Sequence, residues 1–164
     1  KTLDLKTQGS VTMPTGSVIQ VVNFQTGDLV TGSTNCGSTD DTIPTSSEGV
    51  EMMTLAITPT SATSKLLIHV TADLNFGSST FYQSMLFQDS TTNAIASRLM
   101  YNSTAGGSNS VDFDHYMTAG TTSATTFKFR SGALSGTSSL NGVGANRKLG
   151  GTAASSITIM EIQG

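Results

Sequence analysis

The ten residues 65–74, KLLIHVTADL, decide the fold of this chain. Every second side chain in this stretch is apolar, namely Leu66, Ile68, Val70, Ala72 and Leu74. Such a period of two is typical of a β-strand that buries one face and exposes the other. The stretch therefore predicts a sheet whose inner face packs against a second layer.

Shorter runs with the same period lie on both sides of this strand, separated by clusters of Gly, Ser, Asn and Thr. They predict strands at 17–24, 51–58, 81–87, 95–99, 111–117, 127–129 and 155–162. The stretches 26–47 and 132–151 are predicted to be long connections. Because the chain shows no βαβ alternation and no convincing helix, we expect an all-β fold, an antiparallel and jelly-roll-like β-sandwich of eight or nine strands.

The composition excludes several classes of protein. With 164 residues, the chain is long enough for one domain with a proper core. A net charge of -3 provides no basic surface for nucleic acid. The single Cys36 rules out an intrachain disulfide, and one Cys with two His is too small a set for a structural zinc site. We expect no metal and no cofactor, and, without an apolar run near 18 residues, no membrane insertion.

Two predicted strands are apolar on both faces. In the first strand, Ile19 and Val21 lie opposite the other apolar side chains, and in the last strand Met160 and Ile162 do the same. Either these strands are central or covered by a loop of their own chain, or their second faces pack against neighbouring copies. Under the second interpretation Ile19, Val21, Met160 and Ile162 form a subunit interface.

Two phrases carry a resemblance to a known family. The runs 13–21, MPTGSVIQV, and 55–68, LAITPTSATSKLLI, resemble the C-terminal domains of bacteriophage tail fibre and related virion appendage proteins. The opening residues, including TLDL at 2–5, look like the last turn of a fibre shaft. The resemblance implies a leader at 1–16, a tip domain at 17–164, a homotrimer and an extracellular place on the virion, where the tip contacts the host surface.

The chain offers few residues for catalysis. Only His69 and His115 are available as a general base, and no nucleophile elbow accompanies them. Asp112 and Asp114 point to the same face of one strand and are the nearest approach to a carboxylate pair, but no motif supports them. We therefore predict no catalytic residues and no enzyme activity.

Candidate receptor-binding residues lie on open loops and on solvent-facing strand positions. The loops at 102–110 and 132–151 are the most open connections. The candidates combine aromatic rings, amides and charges suited to a host cell-surface glycan or protein: Tyr101, Asn141, Asn146, Arg147, Lys148, Tyr82, Asp112 and Asp114.

The function predicted is a non-enzymatic tail fibre tip that supports trimeric assembly and host attachment. The alternative is a carbohydrate-binding or adhesin module of a secreted protein, which would share the sandwich and the hydroxyl-rich surface. A glycan depolymerase ranks third.

Overall fold

The computed structural model describes residues 13–164, so that all but the last four residues of the predicted leader 1–16 lie outside the described residues. The described part consists of antiparallel strands and one 3-10 turn, Leu149–Gly151. The strands are β1 (Val18–Thr26), β2 (Val30–Gly32), β3 (Val50–Ile57), β4 (Lys65–Phe76), β5 (Thr80–Gln88), β6 (Ala96–Asn102), β7 (Ser108–Thr118), β8 (Thr125–Ala133), β9 (Ser138–Leu140), β10 (Gly142–Val143), β11 (Asn146–Arg147) and β12 (Ser155–Ile162).

The long strands form two sheets that pack face to face. In the first sheet the order is β1-β12-β4-β7. The short strand β9 pairs with residues 74–76 of β4, past the part of β4 that pairs with β12, and β2 pairs with β9. In the second sheet the order is β3-β8-β5-β6. If the eight long strands are numbered along the chain, the orders are 1-8-3-6 and 2-7-4-5, which is the topology of a jelly roll. The predicted antiparallel, jelly-roll-like sandwich is confirmed.

The core lies between the two sheets. The apolar face of β4 that the sequence predicted is buried, with Leu66, Ile68 and Val70 fully inaccessible. From the second sheet, Phe127 and Phe129 meet this layer, and the ring of Phe129 lies 6.4 Å from that of Phe113. Each such side chain stabilises the fold by about 1.5–3 kcal/mol relative to leaving it exposed. Packing of the two inner faces is therefore the main source of stability.

Strand β5 corrects one part of the sequence analysis. The period of two at 81–87 places Phe81, Met85 and Phe87 on one face, which predicts that they face the core and that Tyr82 faces solvent. Instead Tyr82 points inward, is only 2% exposed and stacks on Phe76 with ring centroids 4.1 Å apart, while Phe81 is 41% exposed. The prediction failed because both faces of β5 are apolar, which removes the signal that distinguishes inside from outside.

The outer face of the second sheet is covered by the connection at 33–49, which we call the cover. Its backbone is bonded to the sheet, since the Cys36 N–H donates to the Ala133 carbonyl (3.0 Å) and the Gln83 amide donates to the Ser38 carbonyl (2.9 Å). The Arg130 guanidinium donates to the carbonyl of Glu48 (2.9 Å). As a result, the outward side chains of Gln83, Met85 and Phe87 on β5 are buried although they face away from the core, and burial raises the pKa of the Cys36 thiol.

The crossing from the second sheet to the first, at 58–64, is held by a buried carboxylate. Oε1 of Glu161, on β12, accepts hydrogen bonds from the backbone N–H and the hydroxyl of Thr60 (both 2.8 Å) and from the N–H of Ser61 (3.3 Å). Burial by itself would raise the pKa of Glu161, but these hydrogen bonds outweigh it and hold the pKa below its ordinary value. The buried charge is therefore satisfied by the turn that it fixes.

Candidate functional site

The outer face of the first sheet, formed by the outward side chains of β1, β12, β4 and β7, is termed the bare face. Its strand register places Val21 opposite Met160, Met160 opposite Leu67, and Leu67 opposite Tyr116. These four apolar side chains form a row across all four strands. At the two ends of the row Val21 is 55% and Tyr116 is 57% exposed, so residues 13–164 leave both uncovered.

A second apolar row lies beside the first, at the end of the bare face where β1 begins and β12 ends. Val18 is paired with Ile162, and a β-bulge between Val18 and Gln20 shifts the register of β1. Ile19, which was expected to face outward with Val21, falls in this bulge and is half-buried, while Val18 takes the position opposite Ile162. The structure thus brings Val21, Met160 and Ile162 together and adds Val18, Leu67 and Tyr116 to them.

Beside the apolar rows, the bare face carries a hydrogen-bonded polar network. His69 Nδ1 lies 2.8 Å from Asp114 Oδ1, and His69 Nε2 lies 3.0 Å from the Thr71 hydroxyl. The same hydroxyl lies 3.1 Å from Asp112 Oδ2 and donates to it. Because a carboxylate only accepts hydrogen bonds, Nδ1 of His69 is the donor to Asp114. The network fixes the imidazole and leaves outward edges of both carboxylates exposed for another partner.

Asp114, His69 and Thr71 lie in the order of a hydrolytic triad, but the Thr71 hydroxyl donates its single proton to Asp112 rather than to His69, and the setting of Thr71 also argues against that chemistry. Such a triad needs backbone N–H donors for an oxyanion close to the nucleophile. Thr71 lies on a central strand that pairs with β12 on one side and β7 on the other, so its neighbouring N–H groups belong to the sheet. The arrangement is suited to binding polar groups rather than to acyl transfer.

The remaining predicted receptor-binding residues lie on other surfaces. Tyr101 is exposed on β6 of the second sheet, with its ring edge-on to Phe81 at 5.0 Å. Tyr82 is buried in the core, so the prediction that it contacts a receptor is wrong. Asn141 is also buried: its amide donates to the carbonyls of Thr26 and Asp28 (2.8 and 3.0 Å), and its role is structural.

The two predicted binding loops differ in character. At 102–110 the backbone is tied down, since the Asn75 amide donates to the carbonyls of Gly106 and Gly107 (2.6 and 2.8 Å). In the loop at 132–151, Asn146 and Arg147 form β11 and Lys148 follows them. All three side chains are exposed, near the end of the first sheet where β12 begins. Arg147 lies 3.8 Å from Asp28. The second loop therefore presents charged groups, whereas the first is held by buried amides.

Two further observations concern the described residues alone. Within 13–164, no group of three His, Cys, Asp or Glu side chains is placed to hold a metal ion. The same part of the chain has no helix of the length and hydropathy needed to cross a membrane.

Comparisons with known proteins give similar structures but no family. No family model and no curated protein matches the chain. The VP2 subviral particle protein of infectious bursal disease virus matches all of this chain and 37% of its own, with 14% identity and a TM-score of 0.46. The C-terminal domain of EclA, described as a sugar-binding protein, matches 85% of both chains with 14% identity and a TM-score of 0.38.

A third similar structure comes from a phage. The enzymatically active domain of tailspike protein 4 of bacteriophage CBA120 matches 73% of this chain and 18% of its own, with 16% identity and a TM-score of 0.29. This chain spans just over a third of the length of the VP2 chain. The similar structures thus include a viral particle protein, a sugar-binding domain and a phage tailspike domain, at TM-scores that carry no argument about function.

Proposed function

We propose that this chain is a non-enzymatic domain of a virion appendage, the trimeric tip of a tail fibre, which assembles through the bare face and contacts the host surface. The observation that carries the proposal is the pair of exposed apolar rows on the bare face, which residues 13–164 leave uncovered at Val21 and Tyr116. Soluble proteins rarely leave contiguous apolar side chains open to water unless a partner covers them. The sequence resemblance to tail fibre tips supports the same conclusion.

The chemistry of the bare face favours another copy of the chain as the partner. Its apolar side chains concentrate on β1 and β12, while Asp112 and Asp114 lie on β7 at the opposite edge and Asp73 lies on β4 at the far end of the sheet. Copies that meet through β1 and β12 bury apolar area at about 25 cal/mol per Å² and keep the acidic edge in solvent. Like charges therefore need not approach one another in the assembly.

Assembly would also provide stability that this chain does not obtain from a disulfide. Cys36 is the single cysteine, so no intrachain disulfide constrains the unfolded state. Binding between folded copies stabilises the folded state by mass action. A trimer would supply stability in the extracellular setting that we propose for the virion.

A carbohydrate-binding or adhesin module is the second candidate, and one observation favours it. The exposed ring of Tyr116 lies on β7 two residues from Asp114, whose carboxylate is held by His69. Stacking on an aromatic ring combined with hydrogen bonds to carboxylates is a common way to hold a sugar. Under this alternative the bare face binds a glycan directly and the domain stays monomeric.

Sedimentation equilibrium separates the two candidates. We expect the wild-type domain to sediment as a trimer at micromolar concentrations and Val21→Glu to weaken association by at least about tenfold, because it places a charge in an apolar interface. Leu99→Glu is the matched control, since Leu99 is 50% exposed on the second sheet. A wild-type monomer at all concentrations, or equal dissociation by both variants, would overturn the proposal.

A further inference from the structure

A pocket of about 230 Å³ lies at the end of the first sheet opposite to the apolar rows. Three parts of the chain form it: the end of β4 with Asp73, the start of β7 with Ser108, and the segment 141–153 with Val143, Lys148, Leu149 and Ala153. The sequence placed Asn141 and Lys148 among the binding residues, and the structure adds the others. Concave sites of this kind, with a few polar groups over an apolar lining, are where small ligands bind.

The pocket wall is built on a rigid frame. Buried Asn141 adopts a positive φ of 57° and bonds the carbonyls of Thr26 and Asp28, while the Ser155 hydroxyl donates to its side-chain oxygen (2.6 Å). The N–H of Asn141 donates to the Asp73 carbonyl (2.9 Å). The side chain and the backbone N–H of this one residue therefore tie β12, the end of β1 and β4 together behind the pocket. A preformed site of this kind needs little reorganisation to bind a ligand.

The lip of the pocket presents an apolar side chain to solvent. Leu149 is 75% exposed, the highest value among the large apolar side chains of the described residues. Its backbone has a positive φ of 51°, a conformation that non-glycine residues rarely adopt. Strained, exposed apolar residues are unusual where only folding matters, and they cluster at ligand sites.

The charges of the pocket are available to a ligand. Within 13–164, the Lys148 ammonium forms no ion pair, whereas the preceding Arg147 lies 3.8 Å from Asp28. Lys148 and Asp73 are both exposed at the pocket, so it offers one cation and one carboxylate that accepts hydrogen bonds. An anionic group suits Lys148, and hydroxyl groups suit Asp73 and Ser108.

We propose that this pocket binds one carboxylated sugar residue of a host surface glycan. The sugar carboxylate pairs with Lys148, its hydroxyls donate to Asp73 and bond Ser108, and its apolar ring face lies on Val143 and Leu149. The inference rests on the proposed role in host contact and names the class of receptor. Since the pocket lies at the far end of the sheet from the apolar rows, assembly leaves it open.

Calorimetric titration with sodium D-glucuronate, and with D-glucose as the neutral probe, tests the assignment. We expect glucuronate to bind at least about tenfold more tightly than glucose, and Lys148→Met to remove that difference. Lys128→Met, on the outer side of the second sheet, is the matched control and should bind as the wild type does. All variants should keep the wild-type melting temperature.

The titration is repeated on Val21→Glu, because the pocket belongs to one chain and should bind without assembly. Binding by a wild-type protein that sediments as a monomer would support the pocket and overturn the trimer. A trimer whose glucuronate affinity equals its glucose affinity, or is unchanged in Lys148→Met, would overturn the pocket and leave the trimer standing.

Discussion

The outer faces of the two sheets both carry apolar side chains, but the chain covers these side chains to different extents. On the second sheet the outward residues Met85 and Phe87 are buried, because the cover lies over them. On the first sheet Val21 and Tyr116 remain more than half exposed. Outward apolar residues are therefore buried where the cover lies over them and stay exposed elsewhere, as Leu99 and Tyr101 do on the second sheet, and the sequence of the strand alone does not decide which.

The largest effect is expected where the cover meets the sheet. A Cβ atom on Gly132 would lie 2.7 Å from the Gly49 Cα and 2.9 Å from the Cys36 N, so Gly132→Ala forces the cover away from β8. We expect the free energy of unfolding to fall by about 2 kcal/mol, measured by urea denaturation.

Gly77→Ala is the matched control for that substitution. A Cβ atom on Gly77 would lie 3.4 Å from the Thr137 N, an ordinary contact. Its effect should stay within about 0.5 kcal/mol. Equal stability of the two variants would mean that the cover is not packed on the second sheet.

A smaller, pH-dependent effect is expected at Glu161, which fixes the crossing between the sheets. The folded-state pKa of this carboxyl is lowered from its ordinary value of 4.5, so its stabilisation is present above that value and is lost as the pH falls through the folded pKa. Glu161→Gln should lower the free energy of unfolding by about 1.5 kcal/mol at neutral pH. Denaturation curves from pH 7 to pH 3 should show the difference from the wild type shrinking; a constant difference would contradict the assignment.

The fold was predictable where one face of a strand is apolar and the other polar. β4 and β7 alternate in this way, and their buried faces were predicted correctly. Both faces of β5 carry apolar residues, since one packs on the core and the other packs under the cover. The alternation therefore gave no signal, and Tyr82 was placed on the wrong side. The cover itself was recognisable only as a long connection, since what a polar loop lies against depends on long-range contacts.

The candidate sites were only partly predictable. Asp112 and Asp114 were correctly placed on one face, but their link through His69 depends on the pairing of β4 with β7, which one strand does not reveal. The loop at 132–151 was identified from its composition, yet Asn141 is structural there. Asp73 and Ser108 lie on the paired strands β4 and β7, far along the chain from the loop, and no local signal marked them.

Hydroxyl-radical footprinting tests most directly the claim that the bare face is covered by other copies of the chain. The measurement compares oxidation of Met160 in the wild type and in Val21→Glu, with Tyr101 on the second sheet as the internal reference. We predict that Met160 is oxidised more slowly in the wild type than in Val21→Glu, while Tyr101 reacts equally in both. Equal oxidation of Met160 in the two proteins would show that the bare face stays open to water, and would contradict the account.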